Sequence, residues 1–146
     1  MAPFILLIGS FLIFRLIGFF GLSYFDSWET SLRVAVALMF LFTASAHWGK
    51  RRPDLIKMVP PALPKPGVIV TITGICEIAG AIVLLIPFTS SFASVGLAFL
   101  LIVMFPANIR AARKGITIGG RPSTPLFPRT ILQIIFFTVV ILVGLQ

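Results

Sequence analysis

Between Gly67 and Pro87 the chain reads GVIVTITGICEIAGAIVLLIP, an apolar run with one carboxylate, Glu77, near its middle. About 20 apolar residues are enough to cross a bilayer as a helix. A carboxylate at that depth is costly, so it must face protein or water and have a partner. On a helix, Glu77 shares a face with Val70, Thr73, Gly74, Gly80, Ala81 and Leu84. Ile72, Ile75, Ala79, Ile82, Val83 and Ile86 occupy the opposite face. Small residues let helices approach closely, whereas bulky ones suit lipid. Glu77 is therefore expected to point into a helix bundle.

The rest of the chain has the same character. It is 58% hydrophobic and 11% charged, against roughly 25% charged for a soluble domain. Residues 1–146 are expected to form a single integral membrane domain, with the lipid bilayer as partner. The net charge of +8 does not point to nucleic acid, because the charges sit in loops between apolar spans. The one cysteine, Cys76, excludes an internal disulfide, and there is no C-x-x-C. The one histidine, His47, excludes a bis-histidine haem within one chain and a histidine-rich metal site, so no metal centre is expected. The N-terminal MAPFILLIGS lacks a basic n-region, and Arg15 breaks what would be the apolar core of a signal peptide.

Five spans are expected, at about 3–22, 31–48, 67–87, 91–110 and 130–145. Lys50, Arg51, Arg52, Lys57 and Lys65 lie in the loop after the second span. Arg110, Arg113, Lys114, Arg121 and Arg129 lie in or beside the loop after the fourth. With five spans these ten residues share one side, which the positive-inside rule places in the cytoplasm together with the N-terminus. Loop 49–66, GKRRPDLIKMVPPALPKP, is too apolar for a free linker. Pro53 suits the start of a short helix, Asp54 its first turn, and Pro60 and Pro61 its end. An amphipathic interfacial segment fits, serving either as an anchor or as a lid over the bundle.

Five polar residues on four spans are candidates for ligand binding or proton handling: Glu77, His47, Asn108, Gln133 and Arg129. All but Glu77 fall at the cytoplasmic ends. A polar cavity opening there, with Glu77 at its floor, accounts for all five; so do independent local roles. His47 reads either as an interfacial residue with satisfied hydrogen bonds or as a group that titrates near neutrality. Asn108 follows Pro106 and suits capping of the disturbed helix end. Arg129 and Gln133 are four residues apart and share a helical face. Arg15 and Glu77 fall at similar depths, about 18 Å and 15 Å into their spans, which makes an intramembrane ion pair conceivable; snorkelling of Arg15 to an interface is the alternative.

From Arg33 onward the chain resembles the DoxX family of small bacterial membrane proteins. The stretches concerned are RVAVALMFLFTASAHW, MVPPALPKPGVIVTITGICEIAGAIVLLIP, VMFPANIRAARKG and RTILQ. The combination of VPPALP, the G-x-x-E at Gly74–Glu77 and FPANI carries the likeness. It implies an all-α membrane protein with a four-helix transmembrane bundle of DoxX type, the first span being an extra N-terminal helix. An Arg15–Glu77 contact is not something the family supports. The resemblance further implies a bacterial inner-membrane protein associated with redox or thiol-stress systems. The chain has no flavin, haem, iron–sulfur or dithiol motif of its own, so a quinone or a redox protein partner would supply that chemistry. The expectation is a bundle that binds a lipophilic molecule such as a quinone within a redox-associated membrane complex, as a possible subunit of a quinone-linked oxidoreductase. The alternatives are a non-catalytic membrane subunit or assembly factor, and a small transporter acting as a homo-oligomer.

Overall fold

The computed structural model describes residues 1–146 and is almost entirely helical. Five long helices and one short one follow in chain order: α1 (Ala2–Phe19), α2 (Trp28–Ser45), the short α3 (Arg52–Met58), α4 (Pro66–Leu84), α5 (Ser90–Lys114) and α6 (Leu126–Gly144). A two-stranded antiparallel hairpin, β1 (Thr117–Ile118) and β2 (Arg121–Pro122), lies between α5 and α6.

Local chemistry sets the helix ends. Ser27 caps α2 by accepting a hydrogen bond from the Thr30 amide, and Glu29 lies in the first turn. The helix therefore begins three residues before the expected boundary. α5 runs through Pro106 as far as Lys114, four residues beyond the expected end. It stops where Gly115 turns left-handed, at φ 61°. α3 starts at Arg52, one residue before the expected proline, carries Asp54 in its first turn and ends at Met58, two residues before Pro60.

The long helices run alternately up and down. Arg52 donates to the carbonyls of His47 and Gly67, joining the end of α2 to the start of α4. Arg129 donates to Asn108 at the same end, joining the start of α6 to the last turns of α5. At the opposite end Ser91 donates to the Gly144 carbonyl, joining the start of α5 to the end of α6. Short turns at Ser23–Phe25 and Pro87–Thr89 close that end.

Four helices are long and apolar enough to cross a membrane: α1, α4, α5 with the turn before it, and α6. That is compatible with a multi-pass membrane protein. α2 has the same length as α1 but opens with Glu29 and Arg33, and it falls outside that set. It is also the most buried helix. Ala35, Val36, Met39 and Phe40 meet Leu7 of α1, Ala81 and Leu84 of α4, Leu97 of α5 and Val140 of α6 in one core. The bulky residues Ile72, Phe92, Phe99 and Ile134 are more than half exposed. Large apolar side chains thus cover the outside while much of the core is alanine and valine, the arrangement a lipid solvent favours.

Arg15 does not reach Glu77. Its guanidinium donates to the carbonyls of Phe25 and Asp26 in the turn between α1 and α2. α1 ends at Phe19, so Arg15 lies one turn from that end and its long side chain extends to the polar backbone there. The ion pair considered from depth alone is absent because the turn carbonyls of Phe25 and Asp26 lie within reach of Arg15.

Candidate functional site

Glu77 is 4% exposed and His47 is 4% exposed, although Glu77 lies in α4 and His47 in the turn just after α2, 30 positions apart in sequence. Glu77 Oε1 is 3.5 Å from His47 Nε2. Thr43 Oγ1 lies 2.8 Å from Glu77 Oε2 and donates to it. His47 Nδ1 lies 2.6 Å from the Val70 carbonyl oxygen, with Thr73 Oγ1 at 3.3 Å. Glu77 was expected on the floor of a cavity with His47 at the mouth. Instead α4 extends beyond the end of α2, so that Val70, Thr73, Gly74 and Glu77 lie level with His47.

Two features set this register. Gly74 has no side chain, and a Cβ there would lie 2.7 Å from His47 Cβ and 2.7 Å from the Trp48 ring. Only glycine allows the end of α2 to lie this close. Arg52 then fills the step between the two helix ends. Its guanidinium donates to His47 O at 2.8 Å, Gly67 O at 2.9 Å and Thr71 Oγ1 at 2.9 Å.

The geometry fixes most of the protons. A carbonyl oxygen only accepts, so the contact to Val70 requires a proton on His47 Nδ1. Nε2 is then the atom that takes or gives a proton. Its approach to Glu77 Oε1, at 3.5 Å, is an ion-pair contact when the imidazole is protonated and is longer than a well-formed hydrogen bond. Thr43 holds the second carboxylate oxygen.

Beside His47 is a cavity of about 90 Å³. Met58, Val59, Pro60 and Leu63 of the α3 region cover it, Ile69, Val70 and Thr73 of α4 form one wall, and Val103, Met104 and Ala107 of α5 form another. The apolar residues of loop 49–66 thus pack onto the bundle end and roof this cavity, with Met58 and Val59 buried.

The five candidates divide into separate groups. His47 and Glu77 meet, and of the five only His47 lines the cavity. Asn108 Oδ1 accepts from Arg129 at 2.8 Å, between α5 and α6. Gln133 donates to the Leu101 carbonyl at 2.7 Å, in the turn of α5 that precedes Pro106. One polar cavity holding all five residues is not what the helices form, because α5 and α6 pair their polar groups with each other. No cluster of three or more His, Cys, Asp or Glu side chains is present.

Sequence reading missed Arg52 as part of the site, since it counted only as one of many loop cations. Its position five residues after His47, at the start of a proline-initiated helix, was the available signal. Thr73 was already on the face of Glu77, but a helical wheel does not say which hydroxyl bonds across, and it is Thr43 of α2 that reaches Glu77.

Fold and site together describe an all-helical protein of the multi-pass membrane type, with a buried histidine–glutamate pair where α2 ends against α4. By sequence the chain belongs to the family described as "Domain of unknown function (DUF8561)", which matches residues 36–143. The match begins within α2 and runs nearly to the end of α6, leaving out α1. The DoxX family is not matched. No curated protein and no solved structure matches the chain.

Proposed function

We propose that the protein is a five-span membrane protein that binds the polar head of a lipophilic molecule beside His47, with Glu77 as proton partner. A quinone is the ligand class we favour. α2 is taken as the fifth span: it lies against α1, α4 and α6, so it needs less lipid-compatible surface than the helices around it. The DoxX-like arrangement is then α2, α4, α5 and α6, with α1 outside it. The ten basic residues mark the cytoplasmic end, and a bacterial inner membrane is the setting we infer from the DoxX resemblance.

The observation that carries this reading is His47 itself. It is the chain's one imidazole, it is buried against a carboxylate, and it lines an apolar cavity. A quinone needs an apolar slot and a group that can exchange a proton with its carbonyl oxygen. The cavity is well below the roughly 300–1,000 Å³ of ordinary ligand sites. Only a head group fits, and only if segment 59–65 moves outward; the tail would lie in lipid.

Trp48 supplies the test. Its ring centroid is 6.1 Å from that of His47, and the only other tryptophan, Trp28, is at the opposite end of α2. In a Trp28→Phe background, a short-tailed quinone should quench Trp48 fluorescence saturably. His47→Ala should weaken that binding about tenfold, the loss of one good polar contact. Absence of saturable quenching, together with no quinone in gently extracted protein, would reject the reading.

A second reading has its own support. Asn108, Arg129 and Gln133 are all engaged between α5 and α6, which suits a non-catalytic membrane subunit held rigid for a partner. A stoichiometric protein partner that co-purifies equally with wild type and His47→Ala would favour it.

A further inference from the structure

On the outer side of α2, Phe42, Ser45, Ala46, Gly49, Lys50 and Arg51 line an open cleft of about 220 Å³. Phe42 and Ser45 lie on one stripe of α2 that continues down to Leu38, and Gly49 follows in the turn beyond the helix; Leu38 and Phe42 are both exposed. The stripe is apolar at Leu38 and Phe42, small at Ser45 and Gly49, and cationic above. The two ion pairs of the protein are His47–Glu77 and Lys57–Asp54, so neither Lys50 nor Arg51 has a carboxylate partner. Asp54, the one carboxylate of loop 49–66, is already bound to Lys57 and to the Gly119 amide. Arg51 runs beside the backbone of Gly119 in the turn between β1 and β2, its Nε 3.1 Å from where a Cβ would stand there.

The geometry points to a site for one anionic phospholipid. Its phosphate sits on Lys50 and Arg51, its glycerol fills the notch over Ser45 and Gly49, and an acyl chain runs along Phe42 and Leu38. Charge complementarity selects the occupant. Two unpaired cations lie directly above a lipid-facing stripe, at the depth where the membrane reading places the headgroups. Each cation near a charged membrane surface is worth about 1 kcal/mol of attraction, and the notch adds a shape that diffuse attraction lacks. The inference rests on the membrane reading but not on any ligand at His47.

The test is lipid retention. The full chain is reconstituted with phosphatidylglycerol and phosphatidylcholine, extracted gently and weighed intact by native mass spectrometry. One phosphatidylglycerol should remain bound per chain. Lys50→Gln with Arg51→Gln should reduce its retention about tenfold. Ser45→Leu, which fills the notch without changing charge, should do the same. Arg113→Gln with Lys114→Gln removes equal charge elsewhere and should change retention less than about twofold. His47→Ala should leave it unchanged, so this site and the quinone reading fail independently. Equal losses in both charge variants with none in Ser45→Leu would overturn the proposal in favour of diffuse attraction. Equal retention of phosphatidylcholine would overturn it too, as would displacement of the lipid by inorganic phosphate.

Discussion

The two oxygens of Glu77 have different partners, a hydroxyl and an imidazole, and this decides how it responds to substitution. Glu77→Gln keeps the volume, accepts from Thr43 through its carbonyl and offers an amide N–H to His47 Nε2. We therefore expect Glu77→Gln to fold with a melting temperature close to wild type. It cannot form an ion pair with His47, and it should weaken the quinone response of Trp48, by no more than His47→Ala does. Glu77→Leu is different, because it leaves His47 Nε2 buried without a partner, whereas the Thr43 hydroxyl can still donate to the Phe40 carbonyl. That should cost about 1–3 kcal/mol, read as a lower unfolding midpoint in detergent. A Gln variant as unstable as the Leu variant would show that the charge, and not the hydrogen bonding, holds this position.

Between elements the site depends on the contact of α2 with α4, which Gly74 permits and Arg52 fastens. Gly74→Ala puts a methyl group against His47 and Trp48, and neither backbone can retreat without separating the helices. Overpacking of this kind costs about 1–3 kcal/mol. Thermal unfolding should register it, and His47 should become accessible to diethyl pyrocarbonate. Arg52→Lys retains the charge but not the planar fork that reaches three oxygens at once. It should leave the helix content unchanged by circular dichroism while exposing segment 59–65 to limited proteolysis several-fold faster. Unchanged cleavage would mean that Met58 and Val59, with the Asp54–Gly119 and Arg110–Lys57 hydrogen bonds, hold the α3 region down without the Arg52 fork.

For the whole molecule the decisive quantity is the distribution of charge between its two ends. In a Cys76→Ser background, single cysteines introduced near Arg52 and Arg113 should resist impermeant thiol reagents applied from outside intact cells. Cysteines near Asp26 and Leu145 should react. The reverse pattern would invert the topology and place the His47–Glu77 pair at the external end. Protection at Asp26 together with labelling at Leu145 would remove α2 from the membrane and leave four spans.

The apolar runs, their order and the concentration of cations at one end follow from the sequence alone. These properties depend on composition over about 20 residues, and no tertiary contact is needed to read them. The same holds for the inward face of Glu77, because Gly74, Gly80 and Ala81 share its side of the helix. Helix ends were legible only in part. The Ser27 cap and the left-handed Gly115 are local, but both lie just outside the apolar runs that drew attention to the spans. What the sequence left open was which polar groups would meet. Depth along a helix placed Arg15 and Glu77 together and His47 apart from Glu77. The folded chain did the reverse, since turn carbonyls took Arg15 and the close approach at Gly74 brought His47 alongside Glu77. Nor did spacing show that Asn108, Arg129 and Gln133 would be engaged between α5 and α6. Such pairings depend on the axial offset between neighbouring helices. That offset is set by packing at single small residues and by one loop arginine, and no pattern within a single helix encodes it.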